Sequence, residues 1–285
     1  PVIRAGVPAT AVPADVRQTG ADLAVVQCLG TEPTATAFRA AGVPVVIYLG
    51  NVEFDELGGD LTPLGDAEFI ANSRFTARQY HARYGIEATV IPPTIDASLY
   101  ATPVDGDRVT LINPVAEKGV DRAIEIAAAC PEIPFLFVES WVLDDPALQR
   151  LEQAIAPYPN IRFQRRSSDM RAVYRQSRIV LAPSKWDEAW GRVASEAQCS
   201  GIPVIGSTRG GLPEAIGPGG LTLDYEAPLD DWVAALRRLW SDAEHYSALS
   251  EAARAHAARP EIDPAQQFEL FHQILRTAQA RPAAA

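Results

Sequence analysis

Apolar residues fall in short continuous runs rather than in strict alternation, at residues 23–28, 43–49, 109–112, 135–138, 179–182 and 204–206. A short, mainly apolar run without strict alternation suits a strand covered on both faces, the situation of a parallel sheet. Between these runs lie longer stretches with helical periodicity, which predict helices over 34–41, 75–84, 120–130, 170–177, 191–199, 230–240 and 264–278. In the helix over 230–240, Trp232, Leu236 and Leu239 share one face. Strands alternating with helices predict an α/β fold of doubly wound, Rossmann-like architecture.

Ile91-Pro92-Pro93 and the Pro- and Gly-containing stretch 101–107 interrupt this pattern, and a new βα series starts at Val109. With 285 residues, more than one core usually holds, so two domains are expected: a reduced one over 1–106 and a fuller one over 107–285. The helix from Pro264 is expected to cross back onto the first, docking through Phe268, Phe271 and Ile274. No repeat is found, and the only low-complexity segment, the Ala-rich tail 281–285, is expected to fray.

Composition is that of an ordinary globular chain, 47% hydrophobic and 21% charged. The N-terminal Pro1-Val2-Ile3-Arg4 lacks the features of a signal peptide, and no apolar stretch approaches membrane-spanning length. A soluble, cytoplasmic protein with no transmembrane segment is expected. A net charge of -11 argues against nucleic acid as a partner, because phosphate-backbone binding needs clustered cations. The only lysines are Lys118 and Lys185. Cys28, Cys130 and Cys199 stand far apart and read as buried thiols, with neither a disulfide framework nor a metal site indicated. His81, His245, His256 and His272 fall on polar helical stretches and read as surface residues.

The segment 181–211, LAPSKWDEAWGRVASEAQCSGIPVIGSTRGG, carries the densest chemistry. Glu188 lies in a loop after a strand and Glu196 inside the following helix, at the edge where doubly wound sheets bind ligands. Their spacing of eight recurs at Glu117/Glu125 and Glu261/Glu269, so spacing alone carries no information. Two carboxylates there would accept hydrogen bonds from sugar hydroxyls; the plainer alternative is a solvated loop acid and a helix-face acid. Gly210-Gly211 precedes a helix predicted near Pro213 and is either an ordinary turn or a cradle whose amides approach a phosphate. Lys118, between the strand 109–112 and the helix from Val120, is either a solvated lysine or a diphosphate counter-charge. There is no Gly-x-Ser-x-Gly elbow, Gly-x-x-x-x-Gly-Lys-Ser/Thr loop or Gly-x-Gly-x-x-Gly opening a βαβ unit, so hydrolase, kinase and dehydrogenase readings lack support.

Jointly, these segments resemble the family 4 glycosyltransferases of GT-B fold. The resemblance rests on Asn113 to Gly119, Pro183-Ser184, Glu188-Ala189-Trp190-Gly191-Arg192, Glu196-Ala197, Gly201-Ile202-Pro203-Val204 and Gly210-Gly211-Leu212-Pro213-Glu214. Ala71-Asn72-Ser73-Arg74-Phe75-Thr76 and Val90-Ile91-Pro92-Pro93 add to it in the first half. The resemblance implies a retaining, metal-independent and cofactor-free transfer of a sugar from a UDP- or GDP-sugar to a hydroxyl acceptor. It implies that Glu188 contacts donor-sugar hydroxyls, Glu196 the ribose, and Lys118 with the Gly210 and Gly211 amides the diphosphate. Asn113, Gly119, Gly191, Arg192 and Arg209 complete the expected donor site, in a cleft that domain closure completes. Base recognition is expected through backbone near 163–166, where Arg162, Arg165 and Arg166 also form a local basic patch.

The chain departs from the family pattern in three ways. Ile112-Asn113 stands where the family often has Gly-Arg, leaving Arg192 or Arg209 as expected substitutes. Gly50-Asn51 stands where a histidine is usual, leaving Asn51 or Glu53 as expected catalytic groups. The glycine-rich opening turn is absent, as in a truncated or naturally minimal enzyme. Two other readings are a non-catalytic nucleotide-sugar-binding subunit and a GT-B epimerase or phosphorylase.

Overall fold

A computed structural model describes residues 8–280 and divides the chain into two compact units, one running up to Thr94 and resuming at Glu261, the other spanning Ile95–Pro260. The N-terminal tetrapeptide and the tail 281–285 lie outside the described residues. The architecture is α/β, with a parallel sheet in each unit, in keeping with two Rossmann-like units.

In the first unit, β1 (Ala24–Gln27), β2 (Val45–Leu49), β3 (Glu68–Ala71) and β4 (Thr89–Val90) pair in parallel in simple sequence order. Helices α1 (Pro8–Thr19), α2 (Thr31–Ala40) and α3 (Arg74–Tyr84) belong to it. α3 starts cleanly because Ser73 caps it, its Oγ accepting from the Thr76 amide at 2.9 Å. β2 is buried on both faces, which explains its unbroken VVIYL run. Ile47 and Leu49 pack with Leu57, Phe69 and Tyr80 on one side, and Val46 packs with Ile70, Ile91, Ile274 and Ala278 on the other. Each such side chain contributes about 1.5–3 kcal/mol by leaving water. The second layer includes the C-terminal helix Pro264–Ala280, which thus belongs to the first unit. Ile274 and the half-buried Phe271 pack there as expected, whereas Phe268 is 67% exposed and lies outside the stripe.

In the second unit, six strands form one parallel sheet: β5 (Arg108–Ile112), β6 (Phe135–Val138), β7 (Ile161–Gln164), β8 (Ser177–Ala182), β9 (Val204–Ser207) and β10 (Gly220–Leu223). Between and after them run α4 (Val120–Ala129), α5 (Asp145–Ile155), α6 (Met170–Arg175), α7 (Arg192–Gln198), α8 (Leu212–Ile216), α9 (Leu229–Ser241) and α10 (Ala243–Ala257). Phe135 and Phe137 pack with Val109, Leu111, Ile126 and Trp232 on one face, while Leu136 and Val138 pack with Ile112 and Val173 on the other. Trp232, Leu236 and Leu239 are fully buried in the first of these layers, as their shared face predicts.

The strand order β10-β9-β8-β5-β6-β7 decides where a ligand can sit. From β5 the chain adds strands on one side and then returns to place β8 on the other. The crevice outside the carboxyl ends of β5 and β8 is therefore the topological switch point, the usual binding position in such sheets.

Several expectations need correction. β3, β4, β7 and β10 and helices α1, α5 and α10 lie outside the predicted elements. The missed strands are short, and β7 and β10 are only partly buried, so they lack the continuous apolar run of an interior strand. Residues 95–106, expected to end the first domain, go with the second unit: the Thr102 amide donates to Ser200 Oγ at 3.0 Å and the Gly106 amide to the Arg175 carbonyl at 2.9 Å. Cys130 is buried, but Cys28 is exposed at the end of β1 and Cys199 half-buried. Of the histidines only His81 is exposed; His245, His256 and His272 are half-buried by neighbouring packing. No helix among the described residues is long and apolar enough to cross a membrane.

Candidate functional site

Three loops meet at the carboxyl ends of β5, β8 and β9. The first, after β5, turns at Asn113, which adopts φ 65°, a left-handed conformation that asparagine tolerates better than most residues. Asn113 is buried, and its Oδ1 accepts from the Trp141 amide at 3.0 Å. It therefore acts as a turn residue that ties the β5 loop to the β6 loop. Gly119 closes this first loop at φ 74°, and a Cβ there would lie 1.8 Å from the Pro183 carbonyl oxygen. Only glycine lets the β5 and β8 loops approach this closely. They are further joined by the Lys185 amide, which donates to the Glu117 carbonyl at 2.9 Å.

This approach brings Lys118 and Glu188 together. Lys118 Nζ lies 2.7 Å from Glu188 Oε1, and Ser184 Oγ donates to the same oxygen at 2.6 Å. Their side chains are 17% and 13% exposed, so neither is the solvated loop charge of the plainer reading. The third loop supports Glu188 from behind. The Gly211 amide donates to the Glu188 carbonyl at 2.5 Å, and a Cβ on Gly210, at φ 63°, would lie 2.1 Å from that same oxygen. The Gly-Gly turn thus serves first to seat the Glu188 backbone, with the Gly211 amide engaged. α8 behind it has only five residues, too short for a strong helix-terminus field.

Glu196 sits one helix further on, nearly buried in α7. Tyr174 donates to its Oε2 at 2.9 Å and Arg192 Nε lies 3.4 Å from its Oε1. Burial, and then the Glu196 charge, push the Tyr174 hydroxyl well above its ordinary range, so it stays a proton donor to the carboxylate. Arg192 also donates to Tyr100 Oη at 3.4 Å. Gly191, at φ 102°, begins α7 where a Cβ would press on Leu212. Arg209 is 3.6 Å from Glu226 and faces the Tyr225 ring. Both arginines expected to replace the missing one are thus engaged with carboxylates. Asn51 lies in the first unit, where its amide donates to Glu56 Oε2 at 3.1 Å, and Glu53 accepts from the Val52 amide.

Sequence reasoning missed Glu139, Tyr174, Trp141 and Trp186. Glu139 follows β6, its side chain 3% exposed, and accepts from the Leu143 and Arg166 amides at 3.0 and 3.1 Å while pairing with Arg165 at 3.0 Å. The Leu143 amide, with the Arg166 amide and the two arginine charges, holds its carboxyl below the usual range against burial. It fixes the 163–166 segment that was expected to read a base, and it occupies Arg165 of the expected basic patch. An acid directly after a buried FLFV strand was the available signal. Burial, and then the Glu196 charge, raise the Cys199 thiol to about 11, which suits a packed thiol rather than a nucleophile.

The family profile described as glycosyl transferases group 1 matches residues 112–256, half of the chain. The chain belongs to this family. The match falls entirely within the second unit and takes in all three loops. A D-inositol 3-phosphate glycosyltransferase from Corynebacterium kroppenstedtii is 42% identical over 105 residues, covering 35% of this chain and 23% of that relative. The one from Salinispora arenicola is 29% identical over 229 residues, 66% of this chain and 50% of that relative. The chain thus spans half or less of these curated relatives. Among solved structures, Anabaena HepE in complex with UDP aligns with a TM-score of 0.81 and 18% identity over 94% of this chain and 82% of that one. A glycosyltransferase from Rickettsia africae ESF-5 aligns at 0.79 and 16% over 96% and 81%. These similarities carry the fold, the GT-B class of group 1 glycosyltransferases.

Proposed function

We propose that the protein is a retaining glycosyltransferase that moves a sugar from a UDP- or GDP-sugar to a hydroxyl acceptor without a metal ion. The observation that carries this reading is the Lys118–Glu188–Ser184 cluster at the β5/β8 switch point, inside the segment that matches the family. When the bond from sugar C1 to phosphate breaks, positive charge builds on the ring and negative charge on the departing diphosphate. Lys118 answers the second, and Glu188 accepts from sugar hydroxyls and so fixes the ring. Prearranged charges of this kind are worth about 10²–10³-fold in rate. The acceptor hydroxyl attacks C1 from the face the diphosphate leaves, its proton passing to the leaving phosphate oxygen. Glu196, held by Tyr174, receives the ribose hydroxyls.

Support for a nucleotide comes also from HepE, solved with UDP and with UDP-glucose. The chain spans half or less of the curated D-inositol 3-phosphate glycosyltransferases, and its acceptor is proposed only as a hydroxyl compound. A second reading, nucleotide-sugar binding without turnover, draws on Asn113 in place of the family arginine. Incubation with UDP- and GDP-sugars labelled in the sugar, with and without EDTA, separates the readings. The proposal expects labelled glycoside with retained anomeric configuration, unaffected by EDTA. Epimerised donor, or donor bound and returned unchanged with every acceptor tried, would overturn it.

A further inference from the structure

Lys118 is enclosed by two tryptophans that the reaction does not otherwise use. Its ammonium lies 4.4 Å from the Trp186 ring centroid and 5.3 Å from that of Trp141. The two indoles meet edge to face, centroids 5.7 Å apart and planes at 68°. They come from different loops, Trp186 from the one after β8 and Trp141 from the one after β6. Each is tied by its backbone to the lysine's own loop: the Trp186 amide donates to the Glu117 carbonyl at 3.3 Å and the Trp141 amide to Asn113 Oδ1 at 3.0 Å. Trp186 Nε1 is buried and has no hydrogen-bond partner among the described residues. No hydrogen bond of its own anchors that ring, which meets Trp141 and Lys118.

We propose that Trp141 and Trp186 are positioning residues for Lys118, which hold its ammonium ready for the diphosphate of the donor. The inference rests on the nucleotide-sugar reading above. A free lysine stem has about 2 kcal/mol of rotamer entropy to lose on binding. Two ring faces that already restrict the stem remove part of that loss before the ligand arrives. Cation–π attraction supplies the restraint without cancelling the charge, as a second carboxylate would. The half-buried Trp186 also strengthens attraction between the ammonium and a phosphate on its side, while Trp141, 48% exposed, restrains the stem from the solvent side. Glu188 holds Lys118 from one side only, and the indoles keep it in place when Glu188 turns to sugar hydroxyls.

The test is a double-mutant cycle read by titration with UDP, or with GDP if the wild-type chain prefers it. Trp186→Leu and Trp141→Leu, which keep apolar bulk without a ring, should each weaken binding about three- to tenfold. Trp186→Phe, which keeps a ring face, should restore most of the loss. In a Lys118→Ala background either leucine variant should change affinity less than twofold, since the residue it positions is gone. If the losses multiply instead, or if phenylalanine behaves like leucine, the rings act on the ligand or the fold directly and the inference is overturned. Absence of binding by the wild-type chain to either nucleotide would overturn the nucleotide reading itself, and the inference with it, before any variant is made.

Discussion

The two units solve the same folding problem and end with different chemistry at the same edge of the sheet. In the first, the strands pair in simple order β1-β2-β3-β4, so no switch point opens among the described strands. The polar groups at its carboxyl edge satisfy one another: Asn72 Nδ2 donates to the Gly50 carbonyl, Thr76 Oγ1 to Asn72 Oδ1, and Asn51 to Glu56. The family-like Ala71–Thr76 motif is thus a helix cap and a strand tie. In the second unit the order reverses between β8 and β5, and that edge holds an ammonium and two carboxylates largely withdrawn from water, beside the half-buried Trp186 and the exposed Trp141. Topology leaves room for a ligand at one edge, and the charged side chains are gathered at that edge.

The largest effect should follow from closing the gap between the β5 and β8 loops. Gly119→Val places a branched side chain at φ 74° against the Pro183 carbonyl. It should cost about 3 kcal/mol or more and abolish nucleotide binding, as thermal unfolding and titration would show. Unchanged binding would mean that the close approach of the loops is not what builds the site. Next, Glu188→Gln should lower turnover about 10²–10³-fold while nucleotide affinity stays within about threefold. Equal losses in both would move Glu188 from the sugar to the nucleotide.

A smaller effect tests the support beneath the site. Because the Glu139 carboxyl is held below its ordinary range, it contributes stability above the usual glutamate value, and this is lost as pH falls through its lower folded value. Glu139→Gln should lower the melting temperature at pH 7 by about 3–10 °C and flatten the loss of stability in acid. An unaltered acid limb would remove Glu139 as a titrating support of the 163–166 segment. The smallest effect is expected from the other unit: Asn51→Ala should change nucleotide affinity less than about twofold. A tenfold loss would break the contrast between the two edges.

Much of this was legible in the chain. The interior strands β2, β5, β6, β8 and β9 announce themselves because burial on both faces leaves most of their positions apolar, with a few buried hydroxyls such as Thr110 and Ser177 that bond to each other. β7, reading Ile-Arg-Phe-Gln, does not, since only Ile161 is buried. Lys118, Glu188, Gly210 and Gly211 could be found because each lies in a contiguous motif at a strand end. The pairing of Lys118 with Glu188, seventy residues away, could not, because it depends on how the strands are ordered. Tyr174 beneath Glu196 and the two indoles around Lys118 escaped for the same reason: their roles exist only in contacts between loops distant in sequence. Gly211 shows what a motif alone leaves open: the turn reads as either an ordinary turn or a phosphate cradle, and the structure engages its amide with the Glu188 carbonyl.

The central claim is that the nucleotide binds at the switch-point edge of the second unit. Hydrogen–deuterium exchange of the full chain with and without saturating UDP or GDP tests it most directly. The account predicts slowed exchange in residues 113–119, 183–191 and 208–211, with no change in residues 50–56. Protection confined to 50–56, with the three loops of the second unit unaffected, would contradict it.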